Sequence, residues 1–258
     1  MLRDQSMQDL KPMPRFSIVT ATYNAADALP RLIKSLQAQT DQDFEWVVAD
    51  GDSTDGTLEL LEEAGKTLRI KIDSRPDFGI YDALNRAIKM ADGDYYLTMG
   101  ADDELYPETI ALYKDACRRS GADLVTARIE MDEQVRGVKT PKWEWLYGPS
   151  AYISGHAVGC TIRRSLHERF GYYSQMLPIA ADGLFILEAI HGGSKVDEQT
   201  FVAGRFNRYG MSGREIIGNP TELFRVQVYA GHGWIIQMAL LILRIAKHRA
   251  RAIVRSEG

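Results

Sequence analysis

The chain has 258 residues, 45% hydrophobic and 26% charged, with a formal net charge of -4. Those values describe a globular protein long enough to bury a large core, and the acidic balance gives nucleic acid no general reason to bind. The two cysteines, Cys117 and Cys160, lie far apart and form no CxxC pair, which disfavours a disulfide framework or zinc site and fits a reducing compartment.

Residues 1–14 read as a flexible leader, with two prolines and no apolar core of the kind a secretory signal needs. Phe16–Thr20 is a short apolar, β-branched run and predicts a buried strand. Asp27–Gln39 carries Ala28, Leu32, Ile33 and Leu36 at helical spacing. Phe44–Ala49 predicts a second strand and Thr57–Ala64 a second helix. Leu68–Ile72, Tyr95–Met99 and Leu124–Ile129 predict further strands. Ile80–Ala91 and the segment after Pro107 predict the helices between them. This alternation implies an α/β fold, with a mainly parallel central sheet flanked by helices. Ligands on such sheets sit beyond the carboxyl ends of the strands.

The second half is less regular. Glu130–Tyr147 reads as strands or a loop, Ile179–His191 as a helix and Ser194–Val202 as a strand. Pro220–Arg255 predicts a C-terminal helical extension, broken near Gly231-His232-Gly233. Trp234–Ile245 is its most apolar part. Gln237 and Arg244 interrupt it, so it falls short of the ~18–20 apolar residues that span a bilayer.

Three polar clusters follow predicted strands. Asp50-Gly51-Asp52-Ser53-Thr54-Asp55 offers carboxylates to a nucleotide base or ribose; Ser53 to Asp55 serve equally as a helix cap. In the segment from Ser74 to Asn85, Arg75 suits a phosphate and Asp77 a nucleotide. Asp82 and Asn85 share a helical face and either meet the ligand or hold the loop in a buried network. Asp102-Asp103-Glu104 sets three acids side by side, a repulsion that a cation relieves. Mg2+ or Mn2+ takes one or two carboxylates plus phosphate oxygens. A solvated acidic turn is the alternative. No P-loop and no GxGxxG after the first strand is present.

In order, FSIVTATYN, VVADGDSTDGT, PDFGIYDALNRAI and GDYYLTMGADD closely resemble the motifs of family 2 glycosyltransferases with the GT-A fold. Within that family the chain looks like the bacterial exopolysaccharide branch, colanic-acid type. The resemblance implies a GT-A domain over 15–215, with 15–129 binding the nucleotide-sugar and 130–215 the acceptor. Residues 216–258 then form a C-terminal helical region with a basic amphipathic tail.

By position, Thr20, Ala21, Tyr23 and Asn24 match the first nucleotide-binding loop, and Asp50 and Asp52 the acids that read base and ribose. Asp102 and Asp103 match the metal and ribose acids, with Gly100 where the commoner DxDD form has its first Asp. Asp103 is then expected to be the principal metal ligand, and Asp102 to face ribose or share the ion. Asp182 lies where the family carries its catalytic base, with Ala181 in place of the usual preceding acid; a helix N-cap is the other reading. His156 matches a histidine that meets acceptor or diphosphate, or else sits in the core.

The implied activity is inverting, metal-dependent transfer from a nucleotide-sugar, UDP by default, to a saccharide or lipid-linked acceptor. The expected location is the cytoplasm, at the inner face of the plasma membrane. Residues 231–258 hold Arg244, Lys247, Arg249, Arg251 and Arg255 against Glu257 alone. Such a segment, over 233–255, suits an anionic membrane surface or packs on the domain or a second copy. Two other functions fit parts of the pattern. Asp50-Gly51-Asp52-Ser53-Thr54 matches the DxDxT of haloacid-dehalogenase-type phosphohydrolases, and the missing acids at Gly100 and Ala181 suit a non-catalytic nucleotide-sugar-binding protein.

Overall fold

A computed structural model describes residues 12–140, 143–207 and 218–256, without the side chains of 218, 219 and 248–256. Residues 1–11, most of the expected leader, lie outside the described residues, as do the side chains of Arg249, Arg251 and Arg255.

The elements follow the predicted alternation. They run β1 (Phe16–Thr22), α1 (Leu29–Gln37), β2 (Glu45–Asp50), α2 (Thr57–Ala64), β3 (Ile70–Ser74), α3 (Ile80–Met90), β4 (Tyr95–Thr98) and β5 (Glu104–Leu105). Then come α4 (Thr109–Ser120), β6 (Leu124–Met131), β7 (Gln134–Arg136), α5 (Glu144–Tyr147) and a 3-10 turn at Gly148–Ala151. The chain continues through β8 (Cys160–Arg163), α6 (Leu166–Phe170), α7 (Ala181–His191), β9 (Val196–Arg205), α8 (Gly218–Tyr229) and α9 (Trp234–Ser256).

The strands form one sheet in the order β3-β2-β1-β4-β8-β6-β9-β5, with β7 paired to β6. The half from β3 to β4 is parallel, as the alternation predicts. The other half is mixed: β8 runs antiparallel to both β4 and β6, and β5 antiparallel to β9. The sequence reading missed the two-residue β5 and also β8, a four-residue strand between the equally short β4 and the longer β6.

β2 is buried along its whole length, as a central parallel strand must be. Side chains alternate between two apolar layers. Ile18, Trp46, Val48 and Leu97 pack with Leu32, Leu36, Leu61 and Tyr113, from α1, α2 and α4. Val19, Val47, Ala49 and Tyr96 face the opposite way, toward Leu84, Ile88, Phe185 and Ile186, from α3 and α7. The sheet is therefore clamped between helices, and its carboxyl edge is left for loops.

The C-terminal helices break at Gly231, whose φ is 93°. α9 is amphipathic in reverse. Gln237 is buried and donates to the Trp145 carbonyl at 2.7 Å, and Arg244 donates to the Leu146 carbonyl at 2.7 Å. Trp234, Ile235, Ile236, Ile242 and Leu243 face outward, with the exposed Trp143, Trp145 and Tyr147 of the neighbouring segment. Among the described residues, no helix is long and apolar enough to cross a membrane.

Candidate active site at the carboxyl edge of the sheet

The register aligns Thr22 with Asp50 and Asp50 with Ser74, and sets Val19 beside Thr98. Four strand ends thus open onto one edge.

The loops after β1 and β2 are laced together. Asn24 N–H donates to Ser53 Oγ at 2.8 Å, Thr54 N–H to Asn24 Oδ1 at 3.0 Å, and Ala26 N–H to Asp55 Oδ2 at 3.0 Å. Asn24 and Asp52 adopt left-handed φ values of 46° and 69°, which Asn and Asp tolerate better than most residues. Gly56 takes the cap position, and Asp55 ahead of it accepts the Thr57 N–H at 3.1 Å. Asp52 and Tyr23 remain exposed at the mouth, and Ala21 is half-buried beneath them.

Three residues expected to bind nucleotide turn inward. Asp50 is fully buried. It accepts hydrogen bonds from Thr22 Oγ1 (2.8 Å), Ser53 N–H (2.8 Å), Ser53 Oγ (2.6 Å) and Ser74 Oγ (2.8 Å). Burial pushes its pKa up, but these donors more than offset that and hold it below the usual value. With both oxygens engaged, Asp50 braces three strand ends instead of reading a base. The phosphohydrolase reading fails on the same ground, since its nucleophile would be sealed. Thr20 is buried and accepts the Trp46 indole N–H at 3.0 Å. Asn85 spends its amide on the backbone of Tyr173, at 2.8 and 3.0 Å, which is the buried network.

The loop after β3 meets the other two at Gly51. A Cβ there would lie 2.8 Å from Asp77 Oδ2 and 3.2 Å from the Tyr23 ring. Asp77 also accepts the Gly79 N–H at 2.8 Å. Asp82 accepts from Phe78 N–H (3.3 Å) and Gln175 (3.0 Å). The Arg75 side chain is mostly exposed, 3.3 Å from Asp73. Two further residues escaped the sequence reading. The buried Arg86 guanidinium donates to Asp73 (2.7 Å), the Asp50 carbonyl (3.1 Å) and the Arg75 carbonyl (3.3 Å), pinning the loop. Phe78 is 91% exposed in the same loop.

In the acidic turn after β4 the two acids differ in exposure. Asp103 is 1% exposed and accepts Gly100 N–H at 2.8 Å and Asn207 N–H at 2.9 Å. Burial raises its pKa to about 7 despite those donors, and the charge of Asp102 adds to the rise. Asp103 is enclosed and braces the turn, whereas Asp102 is half-buried. Where the commoner form has a third acid, Gly100 lies close to both carboxylates. A Cβ on Gly100 would come within 2.9 Å of Asp103 Oδ2 and 3.1 Å of Asp102 Oδ1. Among the described residues, no group of three or more His, Cys, Asp or Glu is arranged to hold a metal. One or two carboxylates nevertheless suit Mg2+ or Mn2+, which completes its shell with water and phosphate.

On the acceptor side, Val158 takes a left-handed φ of 64°, strained for a β-branched residue. Its N–H donates to the Thr98 carbonyl at 3.0 Å, which holds His156 against the end of β4. Thr98 Oγ1 lies 3.5 Å from His156 Nε2. Asp182, in the first turn of α7, sits 3.5 Å from His156 Nδ1 and accepts the Tyr81 hydroxyl at 2.6 Å. It is not the helix cap. The buried Glu222 of α8 accepts the Ile179 and Ala180 N–H groups just ahead of the helix, at 2.8 Å each.

Comparison with known proteins gives the family and the fold. Residues 17–176 match the family described as glycosyl transferase family 2. Over 95 residues the chain is 44% identical to a PGL/p-HBAD biosynthesis glycosyltransferase of Mycobacterium bovis, covering 36% of this chain and 37% of that protein. A chondroitin synthase of Pasteurella multocida is 36% identical over 101 residues, 39% of this chain and 10% of its own length. The chain thus spans well under half the length of these relatives. Among solved structures, S. aureus TarS 1-349 in complex with UDP-GlcNAc superposes with a TM-score of 0.68 at 20% identity, over 92% of this chain and 73% of that one. The mannosyltransferase PcManGT from Pyrobaculum calidifontis, in complex with GDP-Man and Mn2+, gives a TM-score of 0.67 at 20% identity, over 95% and 78%.

Proposed function

Given that the chain belongs to glycosyl transferase family 2 and carries the GT-A fold, we propose that it transfers a sugar from a nucleoside-diphosphate sugar to a hydroxyl acceptor with inversion. The observation that carries this reading is the meeting of two half-sites at the end of β4. That strand leads into Asp102, and His156 and Asp182 stand beside it.

Asp52, Asp77, Tyr23 and Phe78 form the donor side, with Asp52 accepting from base or ribose hydroxyls and the exposed rings flanking the base. Arg75 meets the diphosphate. Asp102, supported by Asp103, holds Mg2+ or Mn2+, which supplies charge neutralisation at the leaving phosphate. Asp182 is the general base. The acceptor oxygen attacks the anomeric carbon, its proton passes to Asp182, and the bond to the nucleoside diphosphate breaks on the opposite face. UDP is the proposed nucleotide; one of the solved relatives was crystallised with UDP-GlcNAc.

A lipid-linked saccharide is the proposed acceptor, met at the inner face of the plasma membrane. Support comes from α9. Gln237 and Arg244 point inward, and large apolar residues point outward beside an aromatic rim, ahead of a basic C-terminal sequence. That distribution suits insertion at a lipid headgroup boundary. The activity is tested with Asp182→Asn. Transfer should vanish while nucleotide binding persists; transfer at the wild-type rate would refute the base assignment.

A further inference from the structure

Behind Asp182 runs a row of hydrogen-bonded side chains that the transfer step leaves unused. His156 Nε2 lies 2.7 Å from the Tyr173 hydroxyl, which lies 2.6 Å from the Tyr96 hydroxyl. Tyr96 lies 2.8 Å from His167 Nε2, and His167 Nδ1 ends the row 2.9 Å from the Gly171 carbonyl. Tyr96, Tyr173 and His167 are buried.

The far end fixes the direction of every bond. A carbonyl only accepts, so His167 Nδ1 carries a hydrogen. Burial holds the pKa of that ring down at about 4, so near neutrality its Nε2 is bare. Tyr96 therefore donates to His167, Tyr173 donates to Tyr96, and His156 Nε2–H donates to Tyr173. A neutral His156 then has its bare nitrogen, Nδ1, 3.5 Å from Asp182 Oδ2. Burial lowers the pKa of His156 as well, and the Asp182 charge opposes that fall. On the other flank Tyr81 has one hydroxyl hydrogen for two acceptors, the Ile179 carbonyl at 2.8 Å and Asp182 Oδ1 at 2.6 Å. The acceptors around Asp182 outnumber the hydrogens that serve them.

We propose that Tyr173, Tyr96 and His167 lock His156 in its Nε2–H tautomer, so that Nδ1 receives the proton that Asp182 removes from the acceptor hydroxyl. The proposal rests on Asp182 being the base. The acceptor O–H bond breaks as its oxygen bonds the anomeric carbon, and the electron pair of the breaking C–O bond leaves with the diphosphate. The proton moves to Asp182 Oδ2 and on to His156 Nδ1, restoring the carboxylate and leaving an imidazolium. Solvent takes that proton once the product departs. His156 is the relay, and the other three are positioning residues. The remaining ionisable groups nearby are Glu222 beyond Tyr81, Arg164 beside His167, and Tyr172 and Cys160 beside Tyr96.

The test is 15N NMR of histidine-labelled full-length chain near neutral pH, with the His156 signals assigned through His156→Gln. The expected result is Nε2–H alone in the wild type and a mixture of tautomers in Tyr96→Phe. An Nδ1–H tautomer in the wild type overturns the lock, and that reading of the wild type does not depend on Tyr96→Phe folding. In turnover, Tyr96→Phe should lower kcat about tenfold, part of the ~10²–10⁴ that positioned acid–base groups contribute, with KM for the donor unchanged and the acid limb of the kcat profile displaced. Activity lost in Asp182→Asn but unchanged in Tyr96→Phe and His156→Gln overturns the relay alone. Activity retained in Asp182→Asn overturns the base reading beneath it, and the relay with it.

Discussion

Glu222 and Asp182 divide the amino end of α7 between them. Glu222 accepts the Ile179 and Ala180 N–H groups at 2.8 Å, and Asp182 is left to face Tyr81 and His156. Glu222 holds the backbone that leads into α7, and the Asp182 carboxylate is committed to its own contacts with Tyr81 and His156. Glu222→Ala should therefore cost about 1–3 kcal/mol of stability and lower kcat, as Asp182 swings to the vacant donors. Urea denaturation and steady-state kinetics check both. A stability loss with untouched kcat would mean that the division has no functional side.

Asp50 and Asp52 are neighbours with opposite expected phenotypes. Asp50→Asn leaves a donor among four donors, so it should destabilise the fold by about 2–3 kcal/mol. The fraction that folds should keep a near-normal KM for the donor. Asp52→Ala should barely change stability and should raise that KM severalfold. Melting curves paired with donor titrations separate the two.

Asp102 and Asp103 should split in the same way. Mn2+ alone should leave the melting temperature unchanged, because too few carboxylates face the mouth, whereas UDP with Mn2+ should raise it. Asp102→Asn should remove that joint stabilisation. Asp103→Asn should lower the melting temperature of the free protein by roughly 2–10 °C, from a loss of about 1–3 kcal/mol. A shift with Mn2+ alone would require a more complete ligand set than these two acids.

His167 sets an acid limit on stability. Its pKa falls from 6.5 unfolded to about 4 folded, chiefly through burial. The unfolded chain therefore takes up a proton first as the pH drops. The stabilisation is whole above 6.5 and is lost down to about 4, by about 3 kcal/mol. Denaturation at pH 7 and pH 4.5 should show that slope, and His167→Gln should flatten it. An equal slope in the variant would place the acid sensitivity elsewhere.

The outward face of α9 predicts binding to vesicles of anionic lipid that weakens with salt and falls several-fold in Leu243→Glu. Sedimentation with anionic and zwitterionic vesicles measures it. Equal binding by wild type and variant would leave this face to another partner.

The sequence announced the parallel half-sheet, because hydrophobic period and turn chemistry are local. It also marked the loops that meet at the edge. It did not say which way each side chain turns. Asp50 and Asp52 stand two apart in one motif, yet the first is sealed by hydroxyls from three strand ends and the second is open. Thr20 is lost to a Trp46 indole that only the strand pairing brings alongside. Arg86 left a readable trace, a charge between Leu84 and the apolar pair Ala87-Ile88 on a buried helix face. Glu222 left none, since its partners lie more than 40 residues away.

Asp103 is held by the Asn207 N–H across 104 residues of chain, and β5 beside it pairs with β9 alone. During synthesis, all the donor-side acids emerge early, yet the Asn207 contact to Asp103 forms only once β9 has been made. Long-range closures of this kind come late in folding. A chain stalled before residue 200 would hold every motif by which it is recognised and still lack a finished place for the diphosphate.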